Sequence, residues 1–334
     1  MSEPSRRGDR LLAVAVGVLA VVLVAASLML GEPFVGVNRL PHALTADGGV
    51  EHTVVVLLRA PRLLLAVFAG ALLGIAGLLL QESLRNPLAV PELLGVSSGA
   101  AAAVAGCVAW GVSVPGAPLV PALLGSAVGG TLTMLAVRGV ADRAAVLLIG
   151  AAVSAGLHAV MLTALSLSDS RDQGVLVRYL LGSLTGTTWD TLAALIPGLL
   201  VGLPLAVLVV PALGVLRLGD DTAAALGASP VRARAAALAV GCVLTAVVVG
   251  PCGPVAWVGF LAPQLSRWLR PRGTHQSWLV WSAVLGALLV IAADLLARTV
   301  LHPVELPVGG LTAVVAIVAG TLLLVRRRMS VVAR

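Results

Sequence analysis

Apolar residues run through this chain in long blocks, not in the alternation of half-buried strands or the single stripe of soluble amphipathic helices. Bounded by arginines, prolines and turn clusters, the blocks occupy 11–30, 62–82, 93–111, 118–137, 144–166, 190–212, 233–250, 254–269, 277–297 and 309–325. A bilayer core of about 30 Å needs about 20 apolar residues per helix. An all-α, polytopic membrane protein with about ten transmembrane helices is therefore predicted, as a single transmembrane domain over residues 1–334. The third and eighth blocks are short, and the split between the seventh and eighth rests on Gly250, Pro251, Gly253 and Pro254.

Small residues recur at four-residue spacing as Gly70 and Gly74, Gly95 and Gly99, Gly125 and Gly129, and Gly182 and Gly186. That spacing lets helix backbones approach closely in lipid. Spans two to five and seven to ten are blocks of equal length offset by an odd number of helices, so a repeat between them is inverted in the membrane.

Composition supports the block pattern. Of 334 residues, 59% are hydrophobic and 11% charged, against about 45–50% and about 25% in soluble domains. Aromatics are only 3%, so the apolar mass is Leu, Val and Ala, which suits lipid-facing helices better than a barrel wall. All 22 basic residues are arginine. Without lysine, the chain holds neither a P-loop nor an imine-forming residue. The net charge of +7 is scattered among apolar runs, which argues against a nucleic-acid partner.

The arginines instead orient the chain. With ten spans and the N-terminus inside, Arg6, Arg7, Arg10, Arg85, Arg138, Arg143, Arg217, Arg232, Arg234, Arg267, Arg270, Arg272, Arg326, Arg327, Arg328 and Arg334 are cytoplasmic, 16 of the 22. Outside are Arg39, Arg59, Arg62, Arg171, Arg178 and Arg298. This bias fits the positive-inside rule with both termini cytoplasmic. The first block resembles a secretory leader, but its length and its run into further spans favour a retained helix. Cys107, Cys242 and Cys252 lie in or beside spans without a CxxC pair and read as small packing residues.

The cytoplasmic segment at about 217–232 has unusual punctuation. Asp220 or Asp221 suits a helix N-cap, an alanine run follows, Gly227 suits a left-handed stop, and Ser229 with Pro230 opens the next helix. The segment is either an ordinary helical connector or a docking element for a cytoplasmic partner. A second group of motifs narrows that choice. Arg59-Ala60-Pro61-Arg62-Leu63 precedes Gly70, Gly74, Gly77 and Gln81; then come Arg85-Asn86-Pro87-Leu88-Ala89-Val90-Pro91 and Leu94-Gly95-Val96-Ser97-Ser98-Gly99-Ala100. Further along stand Leu181-Gly182-Ser183-Leu184 with Trp189, Gly250 to Pro263, Ala293-Asp294-Leu295-Leu296-Ala297-Arg298 and Glu305-Leu306-Pro307-Val308-Gly309.

Together these blocks resemble the FecCD family, the permease subunits of iron-siderophore, haem and cobalamin ABC importers. The resemblance implies two permeases, identical or similar, enclosing one pathway in the bacterial cytoplasmic membrane, with separate cytoplasmic ATPases and an extracytoplasmic substrate-binding protein as partners. It implies no cofactor or resident metal and no ATPase activity in this chain. It assigns ATPase coupling to Gly219, Asp220, Asp221, Thr222, Ala223, Leu226 and Gly227, and binding-protein docking to Arg59, Arg62 and Arg298. Guanidinium groups suit that docking because they pair bidentately with carboxylates; for Arg298 the competing reading is an i,i+4 pair with Asp294.

Gln81, Asn86, Ser97 and Ser98 sit where the backbone breaks around Pro87 and Pro91, either lining the pathway or satisfying neighbouring backbone. An alternative to the ABC reading is an ion-coupled secondary transporter using Asp294, since intramembrane acids mark ion paths; its nearness to Arg298 favours a structural pair. His42, His52, His158, His275 and His302 are dispersed without metal-ligand spacing. Three stretches depart from the family pattern. Gln264 replaces a histidine, Thr274-His275-Gln276 replaces an Asp-His-Arg turn, and Ala316 and Val318 replace a glycine and a proline.

Overall fold

The computed structural model describes residues 4–45, 49–136, 143–169, 173–217 and 219–332. Arg138, Arg171 and Arg334 of the orientation argument, and Leu218 of the cytoplasmic segment, lie outside the described residues. The described chain is helical: α1 (Pro4–Met29), α2 (Leu40–Ala43), α3 (Gly49–His52), α4 (Ala60–Ser83), α5 (Val96–Ala109), α6 (Leu119–Ala136), α7 (Arg143–Leu167), α8 (Gln173–Leu181), α9 (Trp189–Leu216), α10 (Asp220–Ala225), α11 (Pro230–Cys252), α12 (Val258–Leu269), α13 (His275–Thr299) and α14 (Val308–Val332).

Each apolar block falls on one long helix. Among the described residues, seven segments, including Gly8–Met29, Gly49–Ser83 and His275–Thr299, have the length and apolarity to cross a membrane. The helices on the third and eighth blocks are only 14 and 12 residues long, so the structure does not by itself establish ten spans. Three local features refine the sequence reading. Gly250 and Pro251 stay inside α11, and the chain breaks one step later at Gly253 with φ +71°. Helix α8 arises between the apolar blocks; at nine residues it is too short for an apolar-run signal, and packing of Leu176 and Tyr179 fixes it. Upstream of α4, Thr53–Arg59 forms a wide π-helical stretch that makes Gly49–Ser83 one continuous segment. That wider turn meets Pro61, which has no N–H to give.

Glycine lets the central helices touch backbone to backbone. A Cβ on Gly70 would lie 2.2 Å from the Gly286 carbonyl oxygen, one on Gly74 2.2 Å from that of Ser282, and one on Gly77 1.9 Å from that of Gly259. Helix α4 is thereby clamped to α13 and α12. Helices α5 and α6 repeat the device, with Gly99 against Gly125 and Gly95 against Gly129. The fourth spaced pair is different: Gly182 and Gly186 are loop residues with φ of +71° and +74°, a turn requirement and not a helix contact.

The packing partners support the repeat. Helix α4 packs on α12 and α13, as α11 packs on α5 and α6; α5 packs on α6 and α7, as α12 packs on α13 and α14. Both blocks also have a broken backbone after their first helix, re-entered through a left-handed residue, Gly95 before α5 and Trp257 before α12.

Replacing Gly286 with leucine is expected to cost more than the ~1–3 kcal/mol typical of side-chain overpacking, because the obstacle is the backbone of α4. Thermal unfolding in detergent measures this, with Gly156→Ala as control, since nothing lies within 4 Å of a Cβ there.

Candidate coupling site and ion clusters at the two ends

The arginines that orient the chain gather at the two ends of the bundle, and each end has its own acids. At one end Glu82, the penultimate residue of α4, is buried and faces two guanidinium groups and an imidazole. Arg217 donates through Nε and Nη2 at 2.8 and 3.0 Å, Arg267 donates at 3.1 Å, and His275 Nε2 stands 3.5 Å away. Four helices, α4, α9, α12 and α13, thus end on one carboxylate or within a residue of doing so. Arg267 also donates to Gln81 Oε1, whose amide donates to the Gly259 carbonyl at 2.9 Å. Arg217 lies over the Trp278 ring at 4.4 Å, a cation–π contact that fixes its plane.

One residue beyond α4, Leu84 ends the helix and Arg85 takes a left-handed φ of +48°. That uncommon conformation for a side-chain-bearing residue turns its guanidinium toward the carbonyl of Leu216 and to Asp220 Oδ1 at 2.7 Å. Arg234 of α11 approaches Asp220 from the other side at 2.7 and 2.9 Å. Asp220 is therefore not the expected cap. Gly219, with φ +106°, takes the N-cap position without a side-chain bond, and Asp221 makes no cap either, because two guanidinium groups bind Asp220 and turn it inward. The hydrogen bonds from Arg234 hold the Asp220 carboxyl below its ordinary value. Its pairing is thus complete at neutral pH and is lost only as pH falls through that lowered value.

The rest of the segment follows expectation. Helix α10 has six residues, Gly227 has φ +80°, and Ser229 caps α11 with Pro230 in its first turn. Ala223 is buried against the bundle, whereas Asp221, Thr222, Leu226 and Gly227 are exposed. Beside this helix a polar recess of about 320 Å3 is lined by Gln81, Glu82, Arg85, Asn86, Pro87, Arg217 and Arg267. Two of the four pathway candidates, Gln81 and Asn86, meet there; Asn86 also accepts from the Leu88 N–H at 3.0 Å. Ser97 and Ser98 do not join them. Both are buried in the first turn of α5, away from the recess lining.

At the opposite end the three docking candidates are engaged within the chain. Arg59 is buried and donates to the carbonyls of Leu28 and Pro33 at 2.8 Å and of Met29 at 3.1 Å. Arg298 is buried and donates to the carbonyl and hydroxyl of Ser27. These cations sit on the C-terminal carbonyls of α1, where the helix dipole favours positive charge. Gly31, with φ +119°, turns the chain here, and a Cβ on it would press on Arg59 Nη2 at 3.0 Å. Arg62 binds Asp294 at 2.9 Å and Glu305 at 3.0 Å, closer than the 3.8 Å from Arg298 to Asp294. Arg62 is thus the principal partner of Asp294, not the i,i+4 arginine. The acid proposed for ion coupling is consumed in a buried pair.

Burial pushes the Glu305 carboxyl up, but the Thr185 hydroxyl, donating at 2.6 Å, and Arg62 outweigh it and leave the acid lowered. Three motif blocks meet beside it. The Gly309 N–H donates to the Gly182 carbonyl at 3.2 Å, the Ser183 N–H donates to that of Cys252 at 2.8 Å, and a Cβ on Gly182 would lie 2.0 Å from the Pro254 oxygen. Tyr179 Oη donates to Gly250 at 2.9 Å. Asp9 of α1 pairs with Arg270 at 2.7 Å at the end that bears α10, so α1 is tied at both ends.

Sequence reasoning missed Glu82, the most connected acid at the α10 end. The available signal was an acid at the boundary of an apolar block, opposite Arg217 and Arg267 at the boundaries of two others. The departing residues also find roles: Thr274 caps α13 by accepting from the Ser277 N–H, and His275 faces Glu82.

Apolar helices crossing a bilayer, a polar recess at one end and a short helix beside it define a multi-pass transport permease. The chain belongs to the FecCD transport family, whose profile matches residues 19–326. It is 37% identical to the Fe(3+) dicitrate transport system permease protein FecD of Escherichia coli (strain K12), over 93% of this chain and 98% of that one. It is 36% identical to the ferric enterobactin transport system permease protein FepG of the same organism, covering 81% and 82% of the two chains. A solved metal-chelate type ABC transporter in an inward-facing conformation superimposes with TM-score 0.77 at 27% identity, covering 94% of this chain and 99% of that one. The protein is a permease component of an ABC importer, embedded in the bacterial inner membrane as a multi-pass helical protein.

Removing one partner from a buried ion pair costs about 3–5 kcal/mol. Glu82→Ala is expected to destabilise the chain by that order, read as a lowered thermal midpoint in detergent, whereas Glu51→Ala, which breaks an exposed pair with Arg39, is expected to cost under ~1 kcal/mol.

Proposed function

We propose that this permease carries a ferric chelate inward, driven by a separate cytoplasmic ATPase docked on α10 and supplied by an extracytoplasmic binding protein, and that it works as a pair with a second permease subunit. The ferric dicitrate, enterobactin and haem permeases among its relatives support an iron chelate as cargo. ATP hydrolysis belongs to the partner, in keeping with a chain that has no lysine for a P-loop.

The observation that carries the coupling role is the double hold on Asp220. Arg85 fixes α10 to the end of α4 and Arg234 fixes it to α11, and Arg85 also lines the polar recess. A push on the exposed face of α10, Asp221, Thr222, Leu226 and Gly227, reaches the recess through ion pairs, with Gly219 and Ala223 seating the helix. Leu226 is 64% exposed, an apolar side chain well placed for a partner's pocket. At the other end Arg59, Arg62 and Arg298 serve the binding protein by holding α1, α4 and α13 in register beneath the docking surface.

Proteoliposomes holding this chain with its ATPase and binding protein are expected to take up ferric citrate, ferric enterobactin or hemin only with ATP; uptake driven by an ion gradient alone would refute the reading. Leu226→Arg is expected to remove a contact worth about 2 kcal/mol, or roughly thirtyfold in ATPase affinity. Asp220→Asn separates docking from transmission: the ATPase should still co-purify while uptake falls.

A further inference from the structure

One flank of the molecule carries a groove whose lining shares no residue with α10 or with the polar recess. It lies between α6 and α11, over the start of α5, with a volume of about 650 Å3. Small residues, Ala127 and Gly130 on α6 and Ala239 and Cys242 on α11, line it together with larger apolar side chains such as Leu123 and Leu238. A Cβ on Gly130 would come 3.1 Å from Cys242 Sγ, so α6 and α11 approach closely at this glycine.

Groove dimensions fit one leaflet. The lining runs from Leu123 to Leu135 on α6 and from Ala235 to Val243 on α11, which at ~1.5 Å rise per residue is about 18 Å and about 12 Å. Half of a ~30 Å hydrocarbon core is about 15 Å. The lower mouth lies at the N-terminus of α11, at the arginine-rich end that bears α10, hence in the cytoplasmic leaflet.

The mouth is cationic. Arg232 is exposed and, three and seven residues before Ala235 and Ala239, shares their helix face. Among the described residues its guanidinium has no partner, whereas Arg234 on another face is held by Asp220 and Ser83. The positive end of the α11 dipole adds to this charge.

We propose that the groove between α6 and α11 seats an acyl chain of an anionic phospholipid of the cytoplasmic leaflet, with its phosphate paired to Arg232. An apolar channel with a basic mouth at the membrane surface is the arrangement that selects an anionic headgroup. The occupant holds α6 and α11 at a fixed spacing, and both helices pack on α5.

Native mass spectrometry of the purified chain, titrated with phosphatidylglycerol or with phosphatidylethanolamine of the same acyl chains, tests this. Phosphatidylglycerol is expected to bind about fivefold more tightly, and Arg232→Gln to abolish the difference, since one arginine near a membrane surface contributes about that factor. Ala127→Leu combined with Ala239→Leu is expected to lower retention of both lipids with an unchanged thermal midpoint, because both alanines are exposed. Equal binding of the two lipids by the unaltered chain would overturn the proposal. So would undiminished phosphatidylglycerol binding by the filled variant, or a disulfide at Ala239→Cys that captures a second copy in membranes.

Discussion

The whole arrangement depends on how closely α4 approaches α13 and α12. In lipid there is no hydrophobic drive to bring apolar helices together, so association rests on dispersion at short range and on the few polar groups available. Gly70, Gly74 and Gly77 line the face of α4 that meets these helices, and a Cβ at any of them would fall about 2 Å from a carbonyl oxygen across the interface. The closeness places the ends of the helices as well. Glu82 lies five residues beyond Gly77 on the same helix, and it reaches Arg217, Arg267 and His275 together only because α4 is clamped in place.

Ion pairs then do at the helix ends what glycine does in the middle. A buried carboxylate with two guanidinium partners adds little net stability over a well-packed apolar cluster, but it is costly to break and strongly directional. That combination suits a protein that must change shape without falling apart. At the α10 end the pairs run from the exposed helix through Asp220 and Arg85 to the recess. At the other end Arg62 joins α4 to α13 through Asp294 and to the following loop through Glu305. The two clusters share α4, so a displacement at one end has a rigid route to the other.

Much of this fold was legible because a membrane helix writes its presence over about twenty residues. Each apolar block became a helix, and Gly227, Ser229 and Pro230 punctuated the chain as their chemistry dictates. Short elements held by tertiary contacts were not legible. Helix α8 owes its place to Leu176 and Tyr179 in a cluster with α5 and α11, and no local signal announces that. Spacing alone misled at Gly182 and Gly186, which share the period of the packing pairs but serve turns.

The candidate site divides along the same line. Where structure rests on an exposed segment with strong punctuation, as at α10, the sequence carried the helix. Where it rests on which partner a charge chooses, it did not. Asp220 has the right residue type for a cap, yet two arginines from distant helices outcompete the local N–H groups, since two full positive charges attract a carboxylate more strongly than neutral N–H dipoles do. Arg59 and Arg298 have the right type and side for docking, yet the carbonyls at the end of α1 are nearer. An unpaired carbonyl inside a membrane protein costs more than an unpaired arginine at its surface, so the chain's own backbone has first claim on those guanidinium groups. Within the chain those groups therefore tie the end of α1 to α4 and α13.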